Sequence, residues 1–88
     1  MMRETHTIRD EIRRFISDDL QRDLQAVRDE ESLLEAGIID SLGVLSVVGF
    51  IEQQYELQVS EDEMVPENFD SVDAIAAFVA RRRSPHVA

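Results

Sequence analysis

The run Gly37-Ile38-Ile39-Asp40-Ser41-Leu42, continued by Gly43-Val44-Leu45-Ser46-Val47-Val48-Gly49-Phe50-Ile51, decides how this chain folds. Valine favours strands, so residues 44–48 make a fair strand on propensity alone. The periodic run is longer than a strand needs, and no other stretch reads as its partner strand. A helix over residues 41–55 is therefore expected, with Leu42, Leu45, Val48, Ile51 and Tyr55 as its buried stripe. Val44, Val47 and Phe50 widen the apolar surface beyond that stripe. Asp40 and Ser41 stand where the helix needs an N-cap, because short oxygen-bearing side chains accept bonds from its first free N–H groups. Gly37 suits the end of a preceding turn.

Upstream, Ile8, Ile12, Phe15, Ile16 and Leu20 recur at helical spacing with charges on the other face. This pattern predicts a first helix over residues 7–20. Thr7 with Asp10 supplies a start signal of the capping-box kind. The stretch between the helices, residues 21–40, is too long for a structureless loop in a small domain. Leu24, Val27, Leu33, Leu34, Ile38 and Ile39 are spaced to pin it to the core, and Ser32 with Glu35 predicts a turn over residues 32–36. Downstream, Leu57 and Val59 alternate briefly before a second capping-box pair, Ser60 with Glu63. Pro66 starts a single turn around residues 67–69. A last helix is expected over residues 71–82, burying Val72, Ile75, Ala76 and Val79 and stopping at Ser84-Pro85. The expected fold is all-α: a small bundle of three longer helices and a short one, with a long first connection. One domain fills residues 1–88, its core in about 7–82 and a flexible tail in 83–88.

At 88 residues and 10.1 kDa there is room for a single domain. The nine basic residues are all arginines, set against 19 acids, for a formal net charge of −10. Such a chain repels phosphate backbones and anionic lipid, which argues against nucleic acid and membrane surfaces as partners. Basic protein surfaces suit it. Without cysteine it has neither a disulfide framework nor a thiolate metal site. The longest apolar stretches, residues 44–51 and 74–80, are too short to span a bilayer. Arg3, Glu4, Arg9, Asp10 and Glu11 interrupt the region where a signal segment would lie. The expectation is a monomeric cytoplasmic domain. The lack of lysine has two readings: codon preference, or sparing the chain from acylation of its own amines, since arginine stays protonated.

Catalysis finds little support. His6 and His86 lie near the two ends, no serine has a histidine nearby in sequence, and no Gly-x-Ser-x-Gly elbow occurs. Asp29-Glu30-Glu31 and Glu61-Asp62-Glu63 lack the alternation and central glycine of a calcium loop, so no metal site is expected. Among the serines, Ser32 and Ser60 have capping duties, while Ser17 and Ser46 lie inside helices. Asp70-Ser71-Val72 also opens a helix, but too little chain follows to close a bundle behind it. Ser41 is the candidate that remains.

These features resemble the acyl carrier protein family, including the peptidyl and other aminoacyl carriers of assembly-line biosynthesis. The likeness extends over about residues 8–82. It rests on a helix, a long loop ending in Gly37-Ile38-Ile39-Asp40-Ser41-Leu42, a second helix, and Val65-Pro66-Glu67-Asn68-Phe69-Asp70-Ser71 before a final helix. The resemblance implies a 4′-phosphopantetheine arm on Ser41, added from coenzyme A by a phosphopantetheinyl transferase. It also implies that Asp40 assists recognition or magnesium-dependent transfer and that Leu42 contacts partner enzymes. The function implied is that of a non-enzymatic carrier holding acyl or aminoacyl groups as thioesters. Its partners would be a loading ligase or acyltransferase and downstream synthase enzymes. A phosphodiester on Ser41 would gain roughly 0.3–1 kcal/mol from the positive end of the helix dipole. Asp40 opposes that placement by like-charge repulsion, so the dipole alone does not account for the motif. With no cysteine in the chain, a thioester sulfur must come from the prosthetic group.

Fatty-acid carriers usually show acids just after the modified serine, whereas residues 43–49 here carry no charge and acids return only at Glu52 and Glu56. Dedicated natural-product biosynthesis is therefore favoured, with partners reading a small apolar surface of Leu42, Gly43, Val47 and Gly49. Each of the two glycines costs about 1 kcal/mol in a helix relative to alanine, so close approach of another backbone would be a reason to keep them. Tyr55 reads as a core residue with its hydroxyl at the rim. Phe50 and Phe69 serve either as packing or as the lining of a slot for an attached chain. The other readings are a helical adaptor or unmodified carrier holding one stable partner, and a small hydrolase using Ser41.

Overall fold

Apolar side chains every third or fourth residue produce helices that must bury one face against one another. The computed structural model describes residues 2–83, with side chains from His6 onward. Helix α1 (Met2–Arg14) runs directly into a π-helical turn (Phe15–Asp19), and α2 (Ser41–Tyr55) follows the long connection. A 3-10 turn (Glu61–Glu63), the one-turn α3 (Pro66–Phe69) and α4 (Val72–Arg83) complete the chain, with no strand among the described residues. The fold is an all-α bundle of three longer helices and a short one. The expected Ser84-Pro85 stop, His86 and the tail beyond residue 83 lie outside the described residues.

Helix α1 lies mainly against α4. Ile8, Ile12 and Ile16 meet Val72, Ile75, Ala76, Phe78 and Val79 in a core where none is more than 2% exposed. Burying a Val, Ile or Phe side chain contributes about 1.5–3 kcal/mol, so this pairing is the main source of stability. Helix α2 adds Val47, Val48 and Ile51, and the long connection adds Leu24, Val27, Leu33 and Ile39. The last helix buries all four side chains its single apolar stripe indicates.

Three expectations need correction. Helix α1 starts at Met2, so Thr7 lies inside it and does not open it. Its end is a wide π turn in which the Leu20 N–H donates to the Phe15 carbonyl at 3.3 Å, and Gln21 then leaves the helix at φ +56°. No residue pattern announces such a turn. On α2, Leu42 and Leu45 are not part of the buried stripe but 72% and 53% exposed, and Val44, Val47, Val48 and Ile51 turn inward. This helix is apolar nearly all round, so periodicity could not choose its buried face; packing against the bundle did.

The long connection is fastened at several points. The Arg13 guanidinium donates to Asp29 Oδ1 and to the Leu24 carbonyl, both at 2.8 Å. Arg9 lies 3.4 Å from Asp29 and 3.6 Å from Asp73. The Leu33 N–H donates to the Asp70 carbonyl at 2.7 Å, the Ser32 hydroxyl to Asp70 Oδ1 at 2.6 Å, and the Asp73 N–H to the Asp29 carbonyl at 2.9 Å. The connection is thus tied to the α3–α4 junction by backbone and side chain together. These ties deliver residues 38–41 to a fixed place.

Candidate functional site

The approach to α2 begins at Gly37, whose φ of +75° falls where only glycine is unstrained. The chain then turns inward: the Ile38 N–H donates to the Leu33 carbonyl at 2.9 Å, and Ile39 is buried. Asp40 is the N-cap. It is extended, at φ −117° and ψ −168°, and its Oδ1 accepts from the Gly43 N–H at 2.9 Å. A Cβ on Gly43 would stand 2.9 Å from Ile39 Cβ, closer than real side chains approach. Gly43 therefore lets the first turn of α2 close over Ile39. The result presents Ser41, exposed, on the first turn of a fifteen-residue helix whose leading N–H groups favour an anion.

Beside Ser41 lies a shallow apolar slot of about 160 Å³, lined also by Leu34, Val44, Met64, Val65, Pro66 and Phe69. Four of these residues belong to the segment before α4, which a polar clasp holds in place. The Glu63 carboxylate accepts from the Ser60 N–H at 3.0 Å and from Arg82 at 2.7 and 2.9 Å. Asn68 Nδ2 donates to the Glu63 carbonyl at 2.8 Å, and Arg81 donates to Asn68 Oδ1 at 3.3 Å. The Ser60 N–H and then the Arg82 guanidinium hold the Glu63 carboxyl below the usual carboxylate range.

Leu42 and Leu45 project from one exposed side of α2, and Leu34 at the slot is 38% exposed. Exposed Glu35 and Asp40 lie close to Leu34 and Leu42 in sequence, and exposed Glu67 follows Pro66 of the slot wall. Of the expected partner-facing residues, Leu42 is open to solvent. Val47 is fully buried and cannot be part of such a surface; it faces the core because α2 packs on its Val44–Val47–Ile51 side. Gly43 serves internal packing against Ile39. Gly49 is exposed, with nothing within 4 Å of where its Cβ would be, so close approach inside this chain does not require it. Sequence reasoning assigned Leu45 to the core and passed over Leu34 and Met64 as site residues. Phe69, weighed as a slot residue, and the Val65-Pro66 pair starting a turn marked part of that wall. The two phenylalanines part company: Phe69 lines the slot, whereas Phe50 stacks on Phe15 with ring centroids 4.4 Å apart. Tyr55 is half-buried, its hydroxyl bonded to Glu11 and its ring under Arg83.

The rival serines have other uses. Ser71 is buried, and its Oγ accepts from the Ala74 N–H at 3.0 Å as the cap of α4. Ser32 Oγ accepts from the Glu35 N–H while donating to Asp70, and Ser60 forms a capping box with Glu63. Ser17 and Ser46 are exposed, the first within the π turn and the second along α2, away from any helix start. No cluster of three or more His, Cys, Asp or Glu side chains suited to a metal ion occurs among the described residues. No described helix is long and apolar enough to cross a membrane.

The family described as "Phosphopantetheine attachment site" matches residues 10–79. Among solved structures, a chain in the one described as "Crystal structure of FAD-dependent dehydrogenase" is 35% identical. The two superpose with a TM-score of 0.64, over 76% of this chain and 96% of that one. No curated protein matches this sequence.

Proposed function

The chain belongs to the phosphopantetheine attachment site family, and from that membership we propose that Ser41 is its attachment residue. Members of this family carry 4′-phosphopantetheine covalently. The residues around Ser41 fit such a group: an exposed hydroxyl, a helix N-terminus suited to its phosphate, and an apolar slot for hydrocarbon beside it. The observation that carries the reading is that Ser41 combines exposure with the head of a long helix, whereas Ser71 is buried and spent on capping. In the transfer, Ser41 Oγ attacks the phosphorus bearing the pantetheine half of coenzyme A. The P–O bond to adenosine 3′,5′-bisphosphate breaks, and the hydroxyl proton passes to a base of the transferase. Asp40, exposed and next to Ser41 in sequence, is the side chain we assign to transferase recognition.

When bound, the group supplies a terminal thiol that holds acyl or aminoacyl cargo as a thioester. The domain itself acts as a carrier and not as an enzyme; it offers Ser41 and a docking face to a succession of partners. That face comprises Leu34, Leu42 and Leu45, with the exposed acids Glu35 and Asp40 close to them in sequence. A partner with an apolar recess and a basic rim fits it, and an interface of this kind is made and released readily. The absence of charge along residues 41–51 supports dedicated natural-product biosynthesis over fatty-acid synthesis. The likeness to a chain in a structure described by an FAD-dependent dehydrogenase supports one partner class in particular, a flavin enzyme oxidising the carried group. The test is mass analysis after incubation with coenzyme A, magnesium and a broad-specificity transferase. Wild type gains one phosphopantetheine and Ser41→Ala gains none; a gain on the variant, or no gain on wild type, rejects the assignment.

A further inference from the structure

We propose that the slot beside Ser41 seats the dimethyl-branched carbon near the phosphate end of the pantetheine arm, leaving the far end of the arm and its cargo in solvent. This rests on Ser41 as the attachment residue. The first ground is order along the arm. Beyond the phosphate come a methylene and then a quaternary carbon with two methyls; after that the arm is polar, with a hydroxyl and two amides, up to the sulfur. The one branched hydrocarbon group lies at the Ser41 end, and Ser41 itself lines the slot.

The second ground is size. The slot measures about 160 Å³, and an apolar cavity of about 150 Å³ accepts a group the size of benzene. A compact branched group matches that volume. The third ground is the lining: Leu34, Val44, Met64, Val65, Pro66 and Phe69 present hydrocarbon and a thioether, with no charged side chain. An amide lodged there would lose its water without gaining a partner. For cargo to reach the slot, the arm would have to fold back and order its whole length.

The core offers no alternative berth. Ile8, Ile12, Ile16, Leu33, Val47, Ile51, Val72 and Ile75 are at most 1% exposed and close-packed, so a long acyl chain could enter only by displacing them. The protein accordingly grips the near end of its arm and is indifferent to what the far end holds.

The experiment follows methyl resonances of Val44, Met64 and Val65 as the apo protein is loaded by a transferase. Coenzyme A, acetyl- and octanoyl-coenzyme A, and an analogue lacking the two arm methyls are used in turn. Mass analysis confirms each loading. The proposal expects the slot methyls to shift on loading the full arm, with contacts to the arm methyls, and to stay there whether the cargo is absent, acetyl or octanoyl. The analogue should leave them near their apo positions. Glu63→Gln, which loosens the slot wall without touching the arm, should shrink the loading shift. Slot signals that ignore loading, that respond equally to the analogue, or that follow cargo length overturn the proposal while Ser41 stands. Core shifts at Ile8 or Ile12 with octanoyl overturn it as well. Failure of the protein to gain mass rejects the attachment site, and this inference with it.

Discussion

Leu45 and Val47 stand two residues apart on α2 and meet opposite surroundings. Val47 is sealed in the bundle with Ile51, whereas Leu45 is 53% exposed beside Leu42. The difference extends to whole regions. On the α1–α4 side, apolar residues are enclosed and Arg9 and Arg13 fasten the long connection through Asp29. On the Ser41 side, large apolar residues remain in water and the slot is a shallow depression. Hydrophobicity in this chain therefore has two destinations, stability and contact, and only position tells them apart.

The sharpest way to break this contrast is to remove side chains from both. Ile51→Ala should cost about 2–5 kcal/mol, the range for emptying a packed site, and Leu45→Ala no more than about 0.5 kcal/mol; urea unfolding measures both. If the two lost similar stability, the exposed face would have to be part of the core. Turnover with a partner enzyme should show the reverse, strong loss for Leu45→Ala and little for a folded core variant.

The two glycines of α2 sharpen the same contrast. Gly43→Ala drives a methyl against Ile39 and should destabilise by about 1–3 kcal/mol, as overpacking does. Gly49→Ala meets open space and should stabilise by up to about 1 kcal/mol through helix propensity. Thermal melts of the two variants should move in opposite directions.

Ser32→Ala should cost about 1 kcal/mol by removing a cap and leaving Asp70 without its hydroxyl donor. Because this tie fixes the approach to α2, hydrogen exchange should quicken in residues 32–40 more than in α1.

The smallest effect concerns pH on the enclosed side. Burial first, and then the bond to Glu11, push the Tyr55 hydroxyl well above its ordinary value of 10.0. Below pH 10 both the folded and the unfolded chain keep this proton. As pH rises past 10 the unfolded chain loses it while the folded one retains it, so stability falls. The melting temperature should decline through that window, and Tyr55→Phe should flatten the decline while costing about 1 kcal/mol at neutral pH. An identical alkaline slope in the variant would exclude Tyr55 as its source.

Helix α4 was legible in the stripe of Val72, Ile75, Ala76 and Val79, but Phe78, buried beside it, falls outside that spacing. Ser60 with Glu63 and Pro66 were legible too, since they act through local geometry alone, whereas the pair Thr7 with Asp10 fell inside α1. Helix α2 was legible as a helix but not in its orientation: valine and leucine lie on several sides, and the buried side depends on neighbours far away in sequence. The start of α1 was missed because residues 2–6 carry no apolar pattern. At the site, Ser41 and Asp40 could be singled out by motif. The slot could not, since Leu34 and Met64 meet at Ser41 only after the connection has been tied to Asp70.

The bare backbone of Gly49 has a practical consequence. This chain has no native thiol, so a single cysteine introduced there would give a unique labelling handle on the apo protein, clear of the serine by two turns of helix. A fluorophore at that point would report each partner's arrival and departure along α2 without occupying the ground beneath the arm.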